Sequence, residues 1–363
     1  MKKLRVLDLC AGIGGFRAGC DLLNWPDLTF EVVGFAEIDK YPKIGYKSMY
    51  DTKDELDLGD IKLLTRADGE KFEGGFLKKN ESRSKRIKQN IPDHDILFAG
   101  FPCQPFSLMG SKLGVDDMLG RGELVFDLVE IVREKQPNFF VLENVKKFYT
   151  HNNGRLCNLI KKELKTIGPG YEVSTWVLNA KNFSVPQVRN RLFIVGCKKT
   201  MSDVRLEPPI AIDVEPYEQG VHGFLEQTVD EKYYLSERIK KTILSEGTGG
   251  WKANPEINKF IARPLTKTMH KMHRASQDNY YSDSFIKGKW DKKKEQVIEI
   301  EEGENRIRRI TPYEALKIQG FPEKLISKLL ESGLSDSRLY MAAGNAVPPP
   351  LVAAVLGTLP LKQ

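Results

Sequence analysis

The sequence predicts an α/β protein in which helices cover a parallel sheet. Short apolar runs alternate with helical patterns through the first 200 residues, which is typical of strands joined by crossover helices. Several runs end at a polar or reactive side chain, and open α/β sheets bind their ligands at such strand ends. The alternation fades after about residue 200, so a second, less regular part is expected there.

The predicted elements follow from these patterns in chain order. Strands are predicted at 4–9, 31–36, 95–99, Phe139–Leu142 and 191–196. Helices are predicted at 121–135, 155–167, 311–320 and in the apolar tail that ends at 356. Residues 201–220 are rich in proline and acidic residues and indicate a linker, and 221–310 mixes basic, aromatic and short β-like pieces.

Four side chains lie at or just past the carboxyl ends of predicted strands. They are Asp8, Glu37, Cys103 and Glu143. Because the carboxyl ends of parallel strands lie along one edge of a sheet, we expect these groups to be close together.

Length and composition exclude several classes of protein. With 363 residues the chain is long enough for two domains and a large core. No apolar run approaches the ~18–20 residues of a membrane span, and the first residues lack the pattern of a secretory signal. Five scattered cysteines without a C-x-x-C pair argue against disulfides and zinc sites. We therefore expect a cytoplasmic protein without a metal site.

The positive charge is concentrated in two segments. Residues 62–90 hold nine basic and four acidic side chains, and 251–294 hold eleven and four, in a chain of net charge +7. Such segments are typical of surfaces that bind an anionic polymer, although solvated surface lysines give the same pattern. Aromatic residues within 251–294 favour nucleic acid there. For 62–90, phosphate contact and a solvated loop both stay open.

The first strand leads into a glycine turn with acidic neighbours. Gly12 and Gly14 allow a ligand to approach the backbone, but the spacing is not that of a dinucleotide-binding turn. Asp8 would repel phosphate and suits a cationic amino-acid group. Glu37 is placed to accept hydrogen bonds from ribose, and Asp60 from an adenine amino group. This combination favours S-adenosylmethionine, whereas the glycines alone also fit an ordinary tight turn.

Cys103 stands between two prolines, beyond a central strand. Most lone cysteines are small buried hydrophobes, but one on a stiff loop at a sheet edge is a candidate nucleophile. The glycine-rich residues 108–122 that follow could form a lid. Glu143 leaves an apolar strand, where its pKa can be raised so that it acts as an acid.

Gln187, Arg189 and Arg191 alternate just before a predicted strand and so share one side of the chain. Neighbouring guanidinium groups bind a carboxylate, a phosphate or a base edge. A salt-bridged strand end is the alternative.

The segments that carry these residues resemble one family. In order they are DLCAGIGGFRAG, GDI, FPCQPFS, ENV, QVRNR, RRITPYEALKIQGFP and GNAVPPP. Together they resemble the DNA (cytosine-5)-methyltransferases over roughly 4–200 and 306–356. The resemblance implies an S-adenosylmethionine-dependent methyltransferase fold, that is, a Rossmann-like mixed sheet with helices on both faces. It also implies a catalytic and cofactor-binding domain (1–200), an irregular β-rich target-recognition domain (201–310), and a hinge helix with a C-terminal return (311–363).

The resemblance also implies the chemistry. Cys103 attacks C6 of a flipped-out cytosine, Glu143 contacts N3 and the 4-amino group, and Arg191, with Arg189, steadies the base. These four residues are therefore the predicted catalytic set. The base must leave the duplex because the enzyme cannot reach it inside the stack.

The implied binding sites are larger sets. The cofactor site comprises Asp8, Gly12, Gly14, Phe16, Glu37, Ile38, Asp60, Ile61, Pro102, Leu124, Asn345 and Ala346. The DNA contacts comprise Gln104, Ser107, Met109, Gln187, Thr266, Lys267, Thr268, His270, His273, Arg274, Gln277, Tyr280 and Tyr281. We hypothesise that Met109 helps fill the hole left by the flipped base.

The predicted function is site-specific methylation of C5 of cytosine in double-stranded DNA, by a monomer that associates with the nucleoid. The enzyme would act alone or beside a separate restriction endonuclease. A tRNA cytosine-5 methyltransferase on the same scaffold is the alternative, but its relatives carry a Cys-Phe-Thr signature that this chain lacks. A catalytically silent DNA-binding relative is disfavoured because the four catalytic positions are intact.

Overall fold

The computed structural model describes residues 1–66, 80–102, 123–201, 205–211, 220–246, 255–274, 276–291, 293–294, 296–300 and 305–362. Seven strands in this part of the chain form one sheet. They are β1 (Lys2–Leu9), β2 (Leu28–Ala36), β3 (Leu56–Asp57), β4 (Ile96–Gly100), β5 (Phe139–Val145), β6 (Tyr171–Asn179) and β7 (Asn190–Lys198). Their order across the sheet is β3-β2-β1-β4-β5-β7-β6.

Helices cover both faces of this sheet and continue into the C-terminal half. They are α1 (Gly15–Leu22), α2 (Lys40–Met49), α3 (Lys62–Thr65), α4 (Glu81–Asn90), α5 (Glu123–Lys135), α6 (Lys146–Thr150), α7 (Arg155–Lys165), α8 (Glu237–Leu244), α9 (Asp283–Lys287), α10 (Pro312–Ile318), α11 (Glu323–Leu330), α12 (Asp336–Asn345) and α13 (Pro349–Leu356). Short 3-10 turns lie at His151–Gly154, Ala180–Asn182, Gly220–Phe224 and Glu231–Tyr233.

The sheet is mixed, as the family resemblance implies, and not parallel throughout, as the alternation alone predicts. β1 to β5 pair in parallel, but β7 runs antiparallel to both β5 and β6. No crossover helix joins β6 to β7, so the chain reverses between them and β7 begins where β5 ends. The alternation missed β6 and the short β3.

Alternate residues of the strands enter two separate cores. On β1, Leu7 and Leu9 face a core shared with α5 and α7, while Leu4 and Val6 face a core shared with α1 and α13. Side chains on both faces of the sheet are therefore buried, which is typical of an α/β sheet between helical layers.

The C-terminal return packs on the first helix of the chain. A Cβ at Gly19 would lie 2.6 Å from Val352, so α1 and α13 approach each other closely where glycine leaves room. The stretch Asp336–Leu356 is long and apolar enough to cross a bilayer by length and composition. The apolar runs of the sequence do not predict this stretch. However, 72% of its apolar window is buried inside the protein, as expected of core helices.

The described part of 220–310 is irregular, and besides α8 and α9 its strands are short. These are β8 (Tyr280–Ser282), β9 (Lys289–Asp291), β10 (Gln296–Ile298) and β11 (Ile307–Arg309), which pair antiparallel as β8 with β11 and β9 with β10. The predicted helix at 311–320 is α10. Thr311 and Glu314 form a reciprocal capping box that fixes its start.

Candidate active site

One edge of the sheet brings the predicted polar residues together. Leu9 pairs with both Ala36 and Ala99, and Ala99 pairs with Leu142, so the carboxyl ends of four strands are level. Arg191 pairs with Val145 because β7 starts at this edge. The glycine turn, the segment leading to Cys103, and Glu143 therefore share one side of the molecule. The strand that carries Glu143 is longer than predicted, since β5 continues to Val145.

An ion pair between buried Glu143 and half-buried Arg191 lies at this edge. The Nε of Arg191 is 2.7 Å from Oε1 of Glu143, and Nη1 of Arg191 donates to the carbonyl oxygen of Asn190 at 2.9 Å. Burial raises the pKa of Glu143, and the nearby Arg191 and Arg189 only partly oppose this. Burial also lowers the pKa of Arg191. The Glu143 carboxyl thus binds a proton more readily than a solvated glutamate does.

Asn144 connects this pair to the segment that precedes Cys103. Its Nδ2 donates to the carbonyl oxygen of Phe101 at 3.1 Å, and its Oδ1 accepts from the Val145 amide at 2.8 Å. Phe101 is buried and packs edge-on against Phe148. Asn144 therefore fixes the backbone two residues before Cys103. Cys103, Gln104, Ser107 and Met109 themselves lie outside the described residues.

The glycine turn is held in the left-handed conformation, with φ of 57° at Gly12 and 80° at Gly14. The Gly12 amide donates to Oε2 of Glu37 at 2.9 Å, and Oε1 of Glu37 accepts from the Asp39 amide at 2.8 Å. Glu37 therefore fastens the turn to the loop after β2. A Cβ at Gly12 would have no atom within 4 Å, whereas one at Gly14 would lie 2.5 Å from the ring of Tyr50. Gly12 faces open space, and Gly14 is required by packing.

Asp8 is fully buried beside this turn. Neither of its carboxylate oxygens has a hydrogen-bond partner among the described residues. Burial raises its pKa to about 8, and Arg17 opposes this only partly. The carboxyl therefore carries a proton at neutral pH unless a cation comes close.

The other residues of the predicted cofactor site differ in exposure. Ile38 is 75% exposed, Pro102 and Asn345 are exposed, Leu124 and Asp60 are half-buried, and Ile61 and Ala346 are buried. Phe16 corrects the prediction. Its side chain is only 2% exposed and stacks on Phe98 with ring centroids 4.9 Å apart, so it lies beneath the floor of the site.

Comparisons with known proteins agree with this geometry. A family model for C-5 cytosine-specific DNA methylases matches residues 4–360. The chain belongs to this family. It is therefore a DNA (cytosine-5)-methyltransferase, and it is called the methylase below.

Relatives and solved structures match the methylase over nearly its whole length. The type II methyltransferase M.NlaX of Neisseria lactamica is 34% identical over 97% of this chain and 94% of its own. M1.ScrFI of Lactococcus lactis subsp. cremoris is 32% identical over 97% of this chain and 77% of its own. The crystal structure of the S. pombe Dnmt2 methyltransferase superposes with a TM-score of 0.68 at 18% identity, covering 99% and 98% of the two chains. That structural match supports the fold.

Arg189 does not lie in the catalytic pair, although the sequence predicts it there. Its guanidinium is 1% exposed and donates to the carbonyl oxygens of Leu265, Gly344 and Ala346 at 2.8–2.9 Å. Only its Nε lacks a partner among the described residues, so Arg189 supports the site from behind with both of its terminal nitrogens.

Three predicted DNA contacts are also buried in the methylase. Gln187 is fully buried and hydrogen-bonds to Gln319 and to the Leu265 amide. Tyr280 and Tyr281 lie in β8 and point to opposite faces of it, where each ring is buried in a different apolar cluster. These side chains order the fold and do not reach solvent.

The remaining predicted contacts form a preorganised surface segment. Oδ1 of Asp278 accepts from Nη2 of Arg274 at 2.7 Å, and the Arg274 guanidinium also donates to Thr266 and Thr268. Lys267 and Gln277 are exposed, while Thr266, Thr268, His270, His273 and Arg274 are half-buried. Asp278 has no predicted role, although its charge is opposite to that of Arg274 four positions earlier, with which it pairs.

Proposed function

We propose that the methylase modifies a cytosine within a specific duplex sequence by flipping the base and adding Cys103 to C6. The Glu143–Arg191 ion pair carries this proposal, since it lies at the end of β5, directly beside the strand that leads to Cys103. The relatives named type II methyltransferases support sequence-specific DNA as the substrate.

We assign to Glu143 the donation of a proton to N3 of the cytosine. Addition of the Cys103 thiolate forms a C6–S bond and moves an electron pair towards N3. A protonated Glu143 neutralises that charge by donating to N3, and its raised pKa keeps the proton available. Arg191 is bonded to Oε1 of Glu143. The other oxygen, Oε2, faces Gly100, which has no side chain and whose Cβ, if one were added, would be 3.7 Å away.

The later steps restore the ring. Water takes the proton from C5, the 5,6 double bond re-forms as the C6–S electron pair returns to Cys103, and N3 returns its proton to the Glu143 carboxylate. Asn144 contributes by holding the backbone at Phe101, two residues before Cys103.

S-adenosylmethionine is the cofactor that the family implies, and the residues at the sheet edge fit it. Gly12 leaves open space for a ligand, Ile38 exposes an aliphatic surface that suits adenine, and the unpartnered carboxyl of Asp8 suits a cation. Each oxygen of Glu37 keeps a lone pair for a ribose hydroxyl. When bound, S-adenosylmethionine supplies the electrophilic methyl group that C5 takes up.

The rest of the cofactor assignment follows from position at the same edge. We assign contacts also to Gly14, Asp60, Ile61, Pro102, Leu124, Asn345 and Ala346. Phe16 supports them from the core.

The surface segment 266–277 is assigned to DNA. Exposed Lys267 suits a phosphate, and the exposed Gln277 amide has donors and acceptors for a base edge. Thr266, Thr268, His270, His273 and Arg274 line the same segment. From the sequence alone, we assign contacts with the flipped base, or with the gap that it leaves in the duplex, to Gln104, Ser107 and Met109.

The biological setting follows from a DNA substrate. We propose a monomer in the cytoplasm that associates with the nucleoid, either alone or with a separate restriction endonuclease. The 201–310 region would read the target sequence, between a catalytic domain at 1–200 and a hinge and return at 311–363.

Transfer of a labelled methyl group tests the proposal. The purified protein is incubated with methyl-labelled S-adenosylmethionine and either bacterial duplex DNA or bulk tRNA. We expect label in DNA, and bisulfite sequencing should place it at cytosines within one short sequence. Label in tRNA and none in DNA would support the tRNA alternative instead.

The buried carboxyl of Asp8 predicts a pH-dependent stability. The folded protein keeps a proton on Asp8 up to pH ~8, whereas the unfolded chain loses it near pH ~4, so stability should fall as pH rises between these values. We expect the Asp8→Asn variant to lose part of this pH dependence in thermal melts. If a cation binds beside Asp8, S-adenosylmethionine should stabilise the wild type at pH 8 more than the variant. Equal stabilisation of both would contradict the assignment.

A further inference from the structure

Four distant segments of the chain meet at one buried polar cluster. The cluster consists of Gln187, Arg189 and Gln319, which are each at most 1% exposed. Arg189 contacts the backbone of Leu265, which directly precedes the surface segment assigned to DNA, and that of Ala346, which belongs to the cofactor edge. One side chain therefore touches both binding regions from behind.

The two glutamines close the cluster into a network. Oε1 of Gln187 accepts from the Leu265 amide at 2.9 Å, and its Nε2 donates to Oε1 of Gln319 at 2.8 Å. Nε2 of Gln319 in turn donates to the carbonyl oxygen of Ala346 at 2.5 Å. Thus a second hydrogen-bonded path runs from Leu265 to Ala346. A buried network of this kind is costly to break, because each polar group left unpaired stays desolvated without a partner.

The two segments also touch directly at Gly344. A Cβ at this position would overlap the backbone of Thr266 and Lys267. On its other side the C-terminal return reaches the glycine turn, since a Cβ at Gly15 would lie 2.5 Å from the Val347 carbonyl oxygen. A shift of the 266–267 backbone towards Gly344 is therefore blocked unless the backbone at 344–347 moves with it.

We propose that Arg189 is a positioning residue that couples DNA binding at 266–277 to cofactor binding at 344–346. This inference rests on the proposed function, because it uses both proposed ligand sites. Either ligand, by fixing its own segment, fixes the carbonyl groups of Leu265, Gly344 and Ala346 around one guanidinium. Each ligand should then raise the affinity for the other by the same factor, as linkage requires.

Equilibrium binding tests the coupling. S-adenosylhomocysteine, which carries no methyl group to transfer, is titrated with and without an unmodified duplex that contains the target sequence. The ratio of the two dissociation constants is the coupling factor, and we expect about 5-fold or more for the wild type. Arg189→Lys should bring the factor close to one, since a single ammonium cannot span three carbonyl groups fixed around a planar fork.

Arg308→Lys is the matched control. Arg308 is also 1% exposed and bonds Glu314 and the carbonyl oxygens of Glu226 and Arg309, but it has no hydrogen bond to the 344–346 backbone. The Arg308→Lys variant should have a lower melting temperature and keep the wild-type coupling factor. Gln319→Met, which removes only the second path, should lower the factor partly and serves if Arg189→Lys does not fold.

The outcomes separate the inference from the proposed function. A wild-type factor of one, or an unchanged factor in Arg189→Lys and Gln319→Met, overturns the coupling while both ligands still bind. An equal loss in Arg308→Lys also overturns it, because general loosening would then explain the effect. If the wild type binds no S-adenosylhomocysteine, the cofactor assignment itself fails and the coupling fails with it.

Discussion

Replacing Cys103 by serine should abolish methyl transfer while leaving DNA binding intact. A serine hydroxyl is far less ionised than a thiol near neutral pH, so it cannot add to C6 and C5 stays a poor nucleophile. We expect the rate to fall by about 10⁴-fold or more, the scale on which loss of a covalent nucleophile lowers turnover. Single-turnover transfer from labelled cofactor measures the rate, and gel-shift titration measures DNA binding.

A trapping experiment tests the same bond directly. With 5-fluorocytosine at the target position there is no C5 proton to lose, so elimination is blocked and the C6–S bond should persist. The wild type should give a denaturant-resistant adduct with this duplex, and Cys103→Ser should give none. Cys197→Ser is the control, because Cys197 is a buried thiol that pairs with Phe139 at the opposite end of β5 from Glu143, and its variant should still be trapped. A wild type that forms no adduct would contradict covalent addition.

The sequence could predict the position of the site because that position depends on topology alone. Asp8, Glu37 and Glu143 each follow an apolar run, and parallel strands place such residues at one edge. The order of the motifs along the chain can likewise be read from the sequence without knowing how the side chains pack. The predicted strands at 4–9 and 95–99 lie within one or two residues of the observed ones.

The sequence could not predict which way a polar side chain points when its partners are distant in the chain. Alternation puts Gln187, Arg189 and Arg191 on one side, yet one arginine binds a carboxylate and the other binds carbonyl groups. The carbonyl of Gly344 lies 155 positions from Arg189. Only the folded C-terminal return brings this carbonyl oxygen within hydrogen-bond distance of Arg189.

The aromatic residues of the basic segment show the same limit. Aromatic rings serve both base stacking and core packing, so composition alone does not separate the two. Tyr280 and Tyr281 pack in apolar clusters whose other members are distant in the chain, and the β8–β11 pairing that places them joins residues about 27 positions apart. Among the polar and charged residues that precede them, Lys267 and Gln277 are exposed and the others are half-buried.

Replacing Glu143 by glutamine should lower the methyl-transfer rate by about 10²–10⁴-fold, the range expected for loss of a general acid. Glutamine keeps the size and an oxygen for Arg191, but it cannot give a proton to N3 when the thiolate adds. The affinity for S-adenosylhomocysteine should change little, because Glu143 faces the base and not the cofactor. Single-turnover kinetics and equilibrium titration separate the two effects.

The pH profile distinguishes a proton donor from a structural carboxylate. If the protonated form of Glu143 is active, the wild-type rate at the chemical step should lose this contribution as pH rises through its raised pKa. The glutamine variant has no such group and should lack that limb of the profile.

Glu130→Gln is the matched control for Glu143→Gln. Glu130 is also a buried carboxyl with a raised pKa, and it pairs with Arg83 and Arg133 on the helical layer away from the site. Its variant should lose stability yet keep the wild-type rate and pH profile. If Glu143→Gln behaved like Glu130→Gln, the ion pair with Arg191 would be only structural. The proton at N3 would then have to come from another group at the same edge of the sheet.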